Sequence, residues 1–503
     1  MTMAVVPAPA DIRADASAAP FEVTAGIRLS GEPGAVAAFT ALLAARTGIA
    51  AEPGAGGTVS FTLDSGAYPE SYRISVTAAS IAVQGPDAAG LFYGAQTLGQ
   101  LLVRDGGRWA IPAVEIDDAP RFAYRGLMLD VARHFFDVDT VKAVIDRAAS
   151  LKLNRLHLHL TDDQAWRLAL DSRPLLAECA STGAVGGDPG GCYTKADYAE
   201  IVRYAATRHM VVVPEIDLPG HTHAVGLAHP ELVEDPVISE TVAQTVAEFG
   251  GGLPAAGEPY TGLAVGFSSL RTGDEATYDF VADVFGELAA MTPGEYLHFG
   301  GDESLATDPD AFAGFVARVS QLIAALGKTP VAWHEAGIGP ALHDATVGQY
   351  WGFTTPADGM DDKARAFVAN GSQLILSPAD AVYLDMKPHA GFSIGLEWAN
   401  GPTDARRAYE WEPADLIAGV DERAILGVEA ALWTETVRTL DDIDALAFPR
   451  LAAAAEAAWS PATGTSPLRT WESFRARVGR LGPLWASLGI GFTPVPEIDW
   501  SVG

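Results

Sequence analysis

The sequence predicts an α/β architecture: a (β/α)8 TIM barrel preceded by a small α+β domain. Two observations predict it. Beyond Pro120, eight short apolar segments each end in polar or charged residues, with Ala-rich helical stretches between most of them. The residue types suited to chemistry then fall just past the ends of those segments, where a barrel collects its functional side chains. A doubly wound sheet is the structural rival, but it does not place functional residues after every strand.

Taken in order, residues 1–20, rich in Ala and Pro, read as a flexible lead-in. Residues 21–119 form the small domain. PGAVAAFTALLAART reads as an amphipathic helix, TVSFTLD and SYRISVTAASIAVQG as strands, AAGLFYGAQTLGQLLV as a second helix, and Ala110 to Ile116 as a further strand. Pro120, in DDAPRF, marks the junction. Residues 120–503 hold the barrel and a C-terminal helical tail. The strand candidates are YRGLMLDVAR, NRLHLHLTDD, MVVVPEIDLPGH, YLHFGGDE, PVAWHEA, VGQYWG, QLILSPADAVYLD and ILGVEAALWTE. Helices such as VDTVKAVIDRAASLK, KADYAEIVRYAATRH and EATYDFVADVFGELAAM lie between them. No GxxxxGK[ST] loop and no GxGxxG after a strand is present, so a nucleotide cofactor is not expected.

Composition narrows the function. The 503 residues are 49% hydrophobic and 19% charged, enough apolar content for a large core. Asp and Glu number 64 against 33 Lys and Arg, a formal charge of -31. That field repels phosphate backbones and anionic lipid, which excludes nucleic acid and membrane surfaces as expected partners and favours a neutral substrate. No apolar run approaches the ~18 residues of a membrane helix. The N-terminal stretch MTMAVVPAPADIRADASAAP has no basic lead and does not read as a signal peptide, leaving a cytoplasmic home or secretion with the signal absent from this chain. Cys179 and Cys192, thirteen positions apart in one Gly-rich stretch, are open to two readings: unrelated thiols, or a local disulfide that implies an oxidising compartment.

The strongest local signal is HFGGDE, His298 to Glu303. Successive strand residues face opposite ways, so Asp302 and Glu303 serve one pocket only if the backbone leaves regular strand, and Gly300 and Gly301 permit that. Adjacent carboxylates in one cleft repel each other, so one tends to keep its proton and the other stays ionised. That is the division of labour glycoside hydrolysis requires. Trp333, Trp351, Trp433 and Tyr383 fall near the ends of different strands, interleaved with Asp385, Glu435 and Arg125. Together they describe an aromatic-walled polar pocket, in which indole rings pack on sugar faces and charged groups take hydroxyls. His157 and His159, two apart on one strand, and His221, at the end of another, offer a metal-binding alternative. The mid-strand pair reads better as hydrogen-bonded structural histidine.

With these motifs in this order, the chain resembles the family 20 glycoside hydrolases, the β-N-acetylhexosaminidases. The resemblance covers nearly the whole chain: AAGLFYGAQTLGQLL in the front domain, then YRGLMLDVARHF, HLHLTDDQAWR, PEIDLPGH, HFGGDE, QYWG, YLD and ALWTE. It implies an exo-acting, retaining hydrolase in which the substrate's own acetamido group is the nucleophile. It further implies that Glu303 is general acid and base, that Asp302 orients and charge-stabilises the acetamido group, and that Tyr383 donates to its oxygen. Trp333, Trp351 and Trp433 would enclose the acetamido group and sugar ring. Arg125, Asp385 and Glu435 would hold ring hydroxyls, and Asp162 with His221 would form a polar link beneath the pocket that sets the acidity of Glu303. No metal and no cofactor is implied. The partner is an oligosaccharide or small glycoside ending in N-acetylhexosamine, with chitin fragments among the candidates. Ala165 departs from the commoner DDQGW spelling, outside the catalytic set. Two rival readings remain: a metal-dependent barrel hydrolase on His157, His159 and His221, and a non-catalytic carbohydrate-binding barrel.

Overall fold

The computed structural model describes residues 3–501 apart from 55, 66, 67 and 340. All eight expected barrel strands form: β1 (Tyr124–Asp130), β2 (Arg155–His159), β3 (Val211–Glu215), β4 (Tyr296–His298), β5 (Thr329–Trp333), β6 (Val347–Tyr350), β7 (Leu374–Leu376) and β8 (Ile425–Leu432). They pair parallel in chain order, and β8 closes on β1, with Arg125 opposite Val428 and Leu129 opposite Leu432. Tyr124, Val213, Tyr296, Val331, Val347 and Ile375 form one apolar cluster that brings together residues from the start or middle of six strands. A second cluster, Met128, Trp333, Tyr383, Ala431 and Trp433, lies nearer the strands' C-terminal ends. The barrel is therefore a packed core with a site at one mouth.

The crossover helices form for local reasons. Helix Val138–Ser150 starts at Asp137, whose carboxylate accepts from Thr140 N–H, a cap worth about 1 kcal/mol. Its buried residues Val141, Val144, Ile145 and Ala148 recur at helical spacing and face the barrel.

The front domain has a seven-stranded sheet and helices Pro33–Thr47 and Ala88–Leu101, as expected, together with a three-stranded sheet. The single strand expected over Ala110 to Ile116 is two, Arg108–Ile111 and Val114–Asp118, and they belong to different sheets. The flexible lead-in also needs correction. Residues 1 and 2 lie outside the described residues, but Val5, Val6 and Ala8 are buried and Asp11–Ala14 is a strand of the larger sheet. Val6 N–H donates to Gln100 at 2.8 Å, and Ala8 N–H donates to Glu456 at 2.9 Å. Composition misled here, because a short apolar run with satisfied backbone groups buries as readily as a helix.

The two domains share a buried polar junction. Lys152 Nζ donates to Tyr72 Oη at 2.7 Å and lies 3.1 Å from Asp118, while Trp459 donates to the other Asp118 oxygen at 2.9 Å. Among the described residues no helix is long and apolar enough to cross a membrane. Cys179 and Cys192 are free thiols, so the disulfide reading is not realised.

Candidate active site

The pocket, about 340 Å³, opens at the C-terminal mouth of the barrel. Beyond β4 the chain turns left-handed at Gly300 (φ 71°), Gly301 (φ 96°) and Glu303 (φ 42°). This is the departure from strand geometry that the two glycines predict. Gly300 is required twice over, since a Cβ there would fall 1.6 Å from Asp217 Oδ1. The turn brings Asp302 and Glu303 together at one imidazole: His221 Nε2 lies 3.6 Å from Asp302 Oδ2 and 3.5 Å from Glu303 Oε2.

The ionisation of these groups follows from burial and neighbours. Burial pushes Asp302 up to about 6, with Glu303 adding to the shift and His221 opposing it. Burial alone would keep His221 neutral, but Asp162, Asp217 and Asp302 raise its affinity for a proton well above the ordinary value. Asp162 is held well below the carboxylate range: burial works against its charge, but Arg133, His221 and His159 overcome that. His221 Nδ1 stands 3.2 Å from Asp162 Oδ1, so the Asp162–His221 link expected beneath the pocket is present in geometry.

The aromatic walls divide into two roles. Trp351, Tyr383 and Trp433 line the pocket, with Tyr383 packing 6.2 Å from Trp433. Trp333 is fully buried beneath them, its ring 6.1 Å from Trp433 and its N–H donating to Glu215 at 2.8 Å. It is the floor that fixes the wall. Asp385 and Glu435 both have carboxyl oxygens that are buried and find no hydrogen-bond partner among the described residues. Burial pushes Glu435 up to about 7 against the pull of Arg133, and burial, with Glu435 beside it, raises Asp385 as well. Unpaired buried acceptors are costly unless a ligand's hydroxyls meet them.

Arg125 is not at this site. It is the second residue of β1, at the opposite end of the barrel, while Tyr124 and Met128, on the other face of the same strand, are the residues that point inward. Its guanidinium pairs with Glu70 at 2.8 Å, donates to Phe122 and Lys152 carbonyls, and stacks over Trp459 at 4.9 Å. It therefore joins the domains. The arginine in the pocket is Arg133, three residues past the end of β1, 2.8 Å from Asp162 Oδ2 and stacked over Trp433 at 4.8 Å.

Further groups at the pocket and behind its wall were not foreseen from the sequence. Glu335 accepts the Trp351 N–H at 2.9 Å, and burial, with Asp302 nearby, pushes it up to about 8. Trp398 lies in the long connection from β7 to β8, and its ring sits edge-on 6.1 Å from Trp351 and 5.8 Å from Tyr383. Helix Glu240–Phe249 brings Thr245 and Phe249 to the pocket's outer wall, beside Leu263 and Val265. Glu335 had a signal, standing two residues beyond β5 in the PVAWHEA segment. The others lie in connections where no strand frame says which way a side chain faces.

A barrel carrying adjacent carboxylates at its mouth, walled by indoles and with buried carboxyl oxygens left unpaired, has the layout of a glycoside hydrolase. The description "Glycosyl hydrolase family 20, catalytic domain" matches residues 122–462, and "Glycosyl hydrolase family 20, domain 2" matches residues 2–119. A β-N-acetylhexosaminidase of Cellulomonas fimi is 43% identical over 436 residues, covering 86% of this chain and 82% of that protein. The solved structure of a family 20 β-N-acetylglucosaminidase is 62% identical with a TM-score of 0.91, each chain covered completely. A mutant Streptomyces plicatus β-hexosaminidase, solved in complex with product (GlcNAc), is 41% identical with a TM-score of 0.89 over 99% of this chain and 98% of its own. This chain belongs to glycosyl hydrolase family 20.

Proposed function

We propose that the pocket takes a terminal N-acetylhexosamine and that Glu303, Asp302 and Tyr383 act directly on it. The reaction is that of an exo-acting β-N-acetylhexosaminidase: retaining, substrate-assisted hydrolysis of terminal non-reducing N-acetylglucosamine or N-acetylgalactosamine through an oxazolinium intermediate. Glu303, half-exposed and aimed into the pocket, protonates the glycosidic oxygen and afterwards takes a proton from water. Asp302, ionised, faces the acetamido nitrogen and stabilises the positive charge that grows as the acetamido oxygen attacks the anomeric carbon. Tyr383, whose hydroxyl keeps its proton because burial and Asp302 oppose a phenolate, donates to that oxygen. Trp351 and Trp433 sandwich the acetamido group over the Trp333 floor. Arg133 takes the place foreseen for Arg125 and, with Asp385 and Glu435, holds the ring hydroxyls.

The observation that carries this reading is the convergence of Asp302 and Glu303 on a single nitrogen of His221. Two carboxylates so joined serve one substrate as a pair, one giving a proton and the other holding charge. The ring nitrogens of His159 both meet carboxylate oxygens at hydrogen-bonding distance, which supports a structural role for this histidine. On the open side, Trp398, Leu396 and Phe249 offer apolar surface to a second sugar, which fits chito-oligosaccharide ends. Turnover of a nitrophenyl N-acetylglucosaminide beside the matching glucoside tests the reading. Hydrolysis of the first alone is expected, and equal turnover of both would overturn it.

A further inference from the structure

The Asp162–His221 link is the outer end of a longer buried row. Tyr124 Oη, in the lower barrel, donates to Glu429 Oε2 at 2.6 Å, and Gln349 donates to Glu429 Oε1 at 2.7 Å. His157 Nδ1 lies 2.8 Å from Glu429 Oε1, and its Nε2 lies 3.1 Å from Glu215 Oε2, close enough for an ion pair but off the hydrogen-bonding line. His159 Nδ1 then meets Glu215 Oε2 at 2.5 Å, and its Nε2 meets Asp162 Oδ2 at 2.8 Å. From Asp162 the row passes to His221 and on to Glu303. His157, His159, Glu215, Glu429 and Asp162 have side chains with no solvent exposure.

The geometry dictates charge. A neutral imidazole has one N–H and one lone pair. Each nitrogen of His159 faces a carboxyl oxygen, and with Asp162 and Glu215 both ionised a neutral ring would set lone pair against lone pair at hydrogen-bonding distance. His157 has an anion beside each nitrogen as well, Glu429 on the hydrogen-bonding line of Nδ1 and Glu215 at ion-pair distance from Nε2. We propose that Glu215 is a positioning residue for Glu303: it holds His159 and His157 as imidazolium ions in a row of alternating charge that ends, through Asp162 and His221, on the catalytic acid. The proposal rests on Glu303 being that acid.

The other groups facing the row agree with it. Arg133 meets Asp162 from the loop after β1, 3.6 Å from Asp130 as well. Asp163 lies beside Asp162 and is raised by burial and by that neighbour. Asp217, further along from Glu215, is raised by burial and by Asp302. His298 Nδ1 stands 3.0 Å from Glu215 Oε1 but also accepts Gly300 N–H, and burial pushes this ring toward its neutral form. His159 and His157 are raised to about 10 and about 9: burial opposes their charge, and the flanking carboxylates overcome it. Glu215 is held well below its ordinary value by the rings around it, against the cost of burial.

The test uses the intact enzyme with 15N-labelled histidine. In wild type, the His157 and His159 imidazolium N–H resonances are expected to persist, far downfield, at pH 8. Glu215→Gln keeps an acceptor for the Trp333 N–H but removes the anion, so the His159 resonance should then be lost at pH 8 and return at pH 5. Its kcat should fall by an amount that grows with pH through that titration, a share of the ~10²–10⁴-fold that general acid–base catalysis contributes, with KM within about twofold. Neutral His157 and His159 in wild type at pH 7 would overturn the proposal without any variant. So would a Glu215→Gln loss of the same size at every pH, which is the mark of a structural role. If Glu303→Gln spares catalysis while the wild-type resonances appear, it is the acid assignment that fails, and the two failures are told apart.

Discussion

Arg133 Nη2 stands 2.8 Å from Asp162 Oδ2, while the same guanidinium sits over the Trp433 ring, 4.8 Å from its centroid. One side chain thus fixes an indole wall of the pocket and an anion of the network beneath it. Arg133→Gln is expected to lower kcat/KM by about 100-fold or more, as loss of a charged contact made in a buried site does. Arg125→Gln, by contrast, breaks the buried pair with Glu70 and should cost roughly 3–5 kcal/mol of stability while leaving the KM of the folded fraction unchanged. Thermal melts beside steady-state kinetics separate the two. A KM change at Arg125 without loss of stability would contradict the placement.

The two arginines also show where the sequence was legible and where it was not. All eight strands of the barrel can be read from apolar runs, because parallel strands buried on both faces have no other composition open to them. The end of β4 can be read from HFGGDE, since only a left-handed turn lets two successive carboxylates share a pocket. Both arginines lie in YRGLMLDVARHF, and the choice between them depends on strand direction and facing. The functional end of a barrel strand is its C-terminal one, which selects Arg133. Trp398 and Phe249 belong to long connections whose course is set by tertiary packing, so no periodicity announces them. The first residues looked free because Ala and Pro dominate them, yet Val5 and Val6 are apolar enough to be drawn under the C-terminal helices, where Arg477 holds the Val5 carbonyl at 2.8 Å.

Glu303→Gln removes the proton but keeps the shape. Loss on a natural glycoside should reach ~10²–10⁴-fold, and be much smaller on a nitrophenyl glycoside whose leaving group needs little protonation. Rates on the paired substrates decide it. Equal losses would remove Glu303 as the acid.

Asp302 ties activity to stability through pH. Its carboxyl, pushed up to about 6, binds a proton more tightly in the folded chain than in the unfolded one. Its contribution to stability is therefore most favourable below about pH 4 and declines as pH rises toward 6, after which it stays constant. The role proposed for Asp302 needs the ionised form, so kcat should fall as pH drops below about 6. Asp302→Asn removes the cost of burying the charge. It should raise stability at pH 7–8 by on the order of 2 kcal/mol, with the difference vanishing near pH 4. Denaturant melts at both pH values check this, and a destabilised variant at pH 8 would refute it.

Trp398 is exposed on one face of the pocket and braced edge-on by Trp351 and Tyr383. Trp398→Ala should raise KM for a chito-oligosaccharide more than for a nitrophenyl monosaccharide, since stacking on an indole contributes about 1 kcal/mol or more per ring. Equal changes on the two substrates would place the second sugar elsewhere.

The last prediction concerns the nucleophile. In a two-carboxylate retaining hydrolase one carboxylate attacks the anomeric carbon and a glycosyl-enzyme forms, the two groups lying across the sugar from each other. Here Asp302 and Glu303 are chain neighbours that meet at the same His221 nitrogen, and each offers an oxygen within 4.8 Å of the other. A carboxylate held beside the acid is poorly placed to attack from the opposite face, but well placed to steady the acetamido nitrogen while its oxygen attacks. Asp302→Asn should then lower kcat far more than it weakens ground-state binding, because the charge it stabilises appears only in the transition state. A cyclic thiazoline that mimics the oxazolinium ion should bind at least ~10²-fold more tightly than the substrate, as transition-state-like ligands do. Glucosides without the acetamido group should be inert at saturation. Mass spectrometry after reaction with a fluorinated sugar provides the decisive check, with unmodified protein expected. A covalent adduct on Asp302 would mean that the side chain, and not the substrate, is the nucleophile.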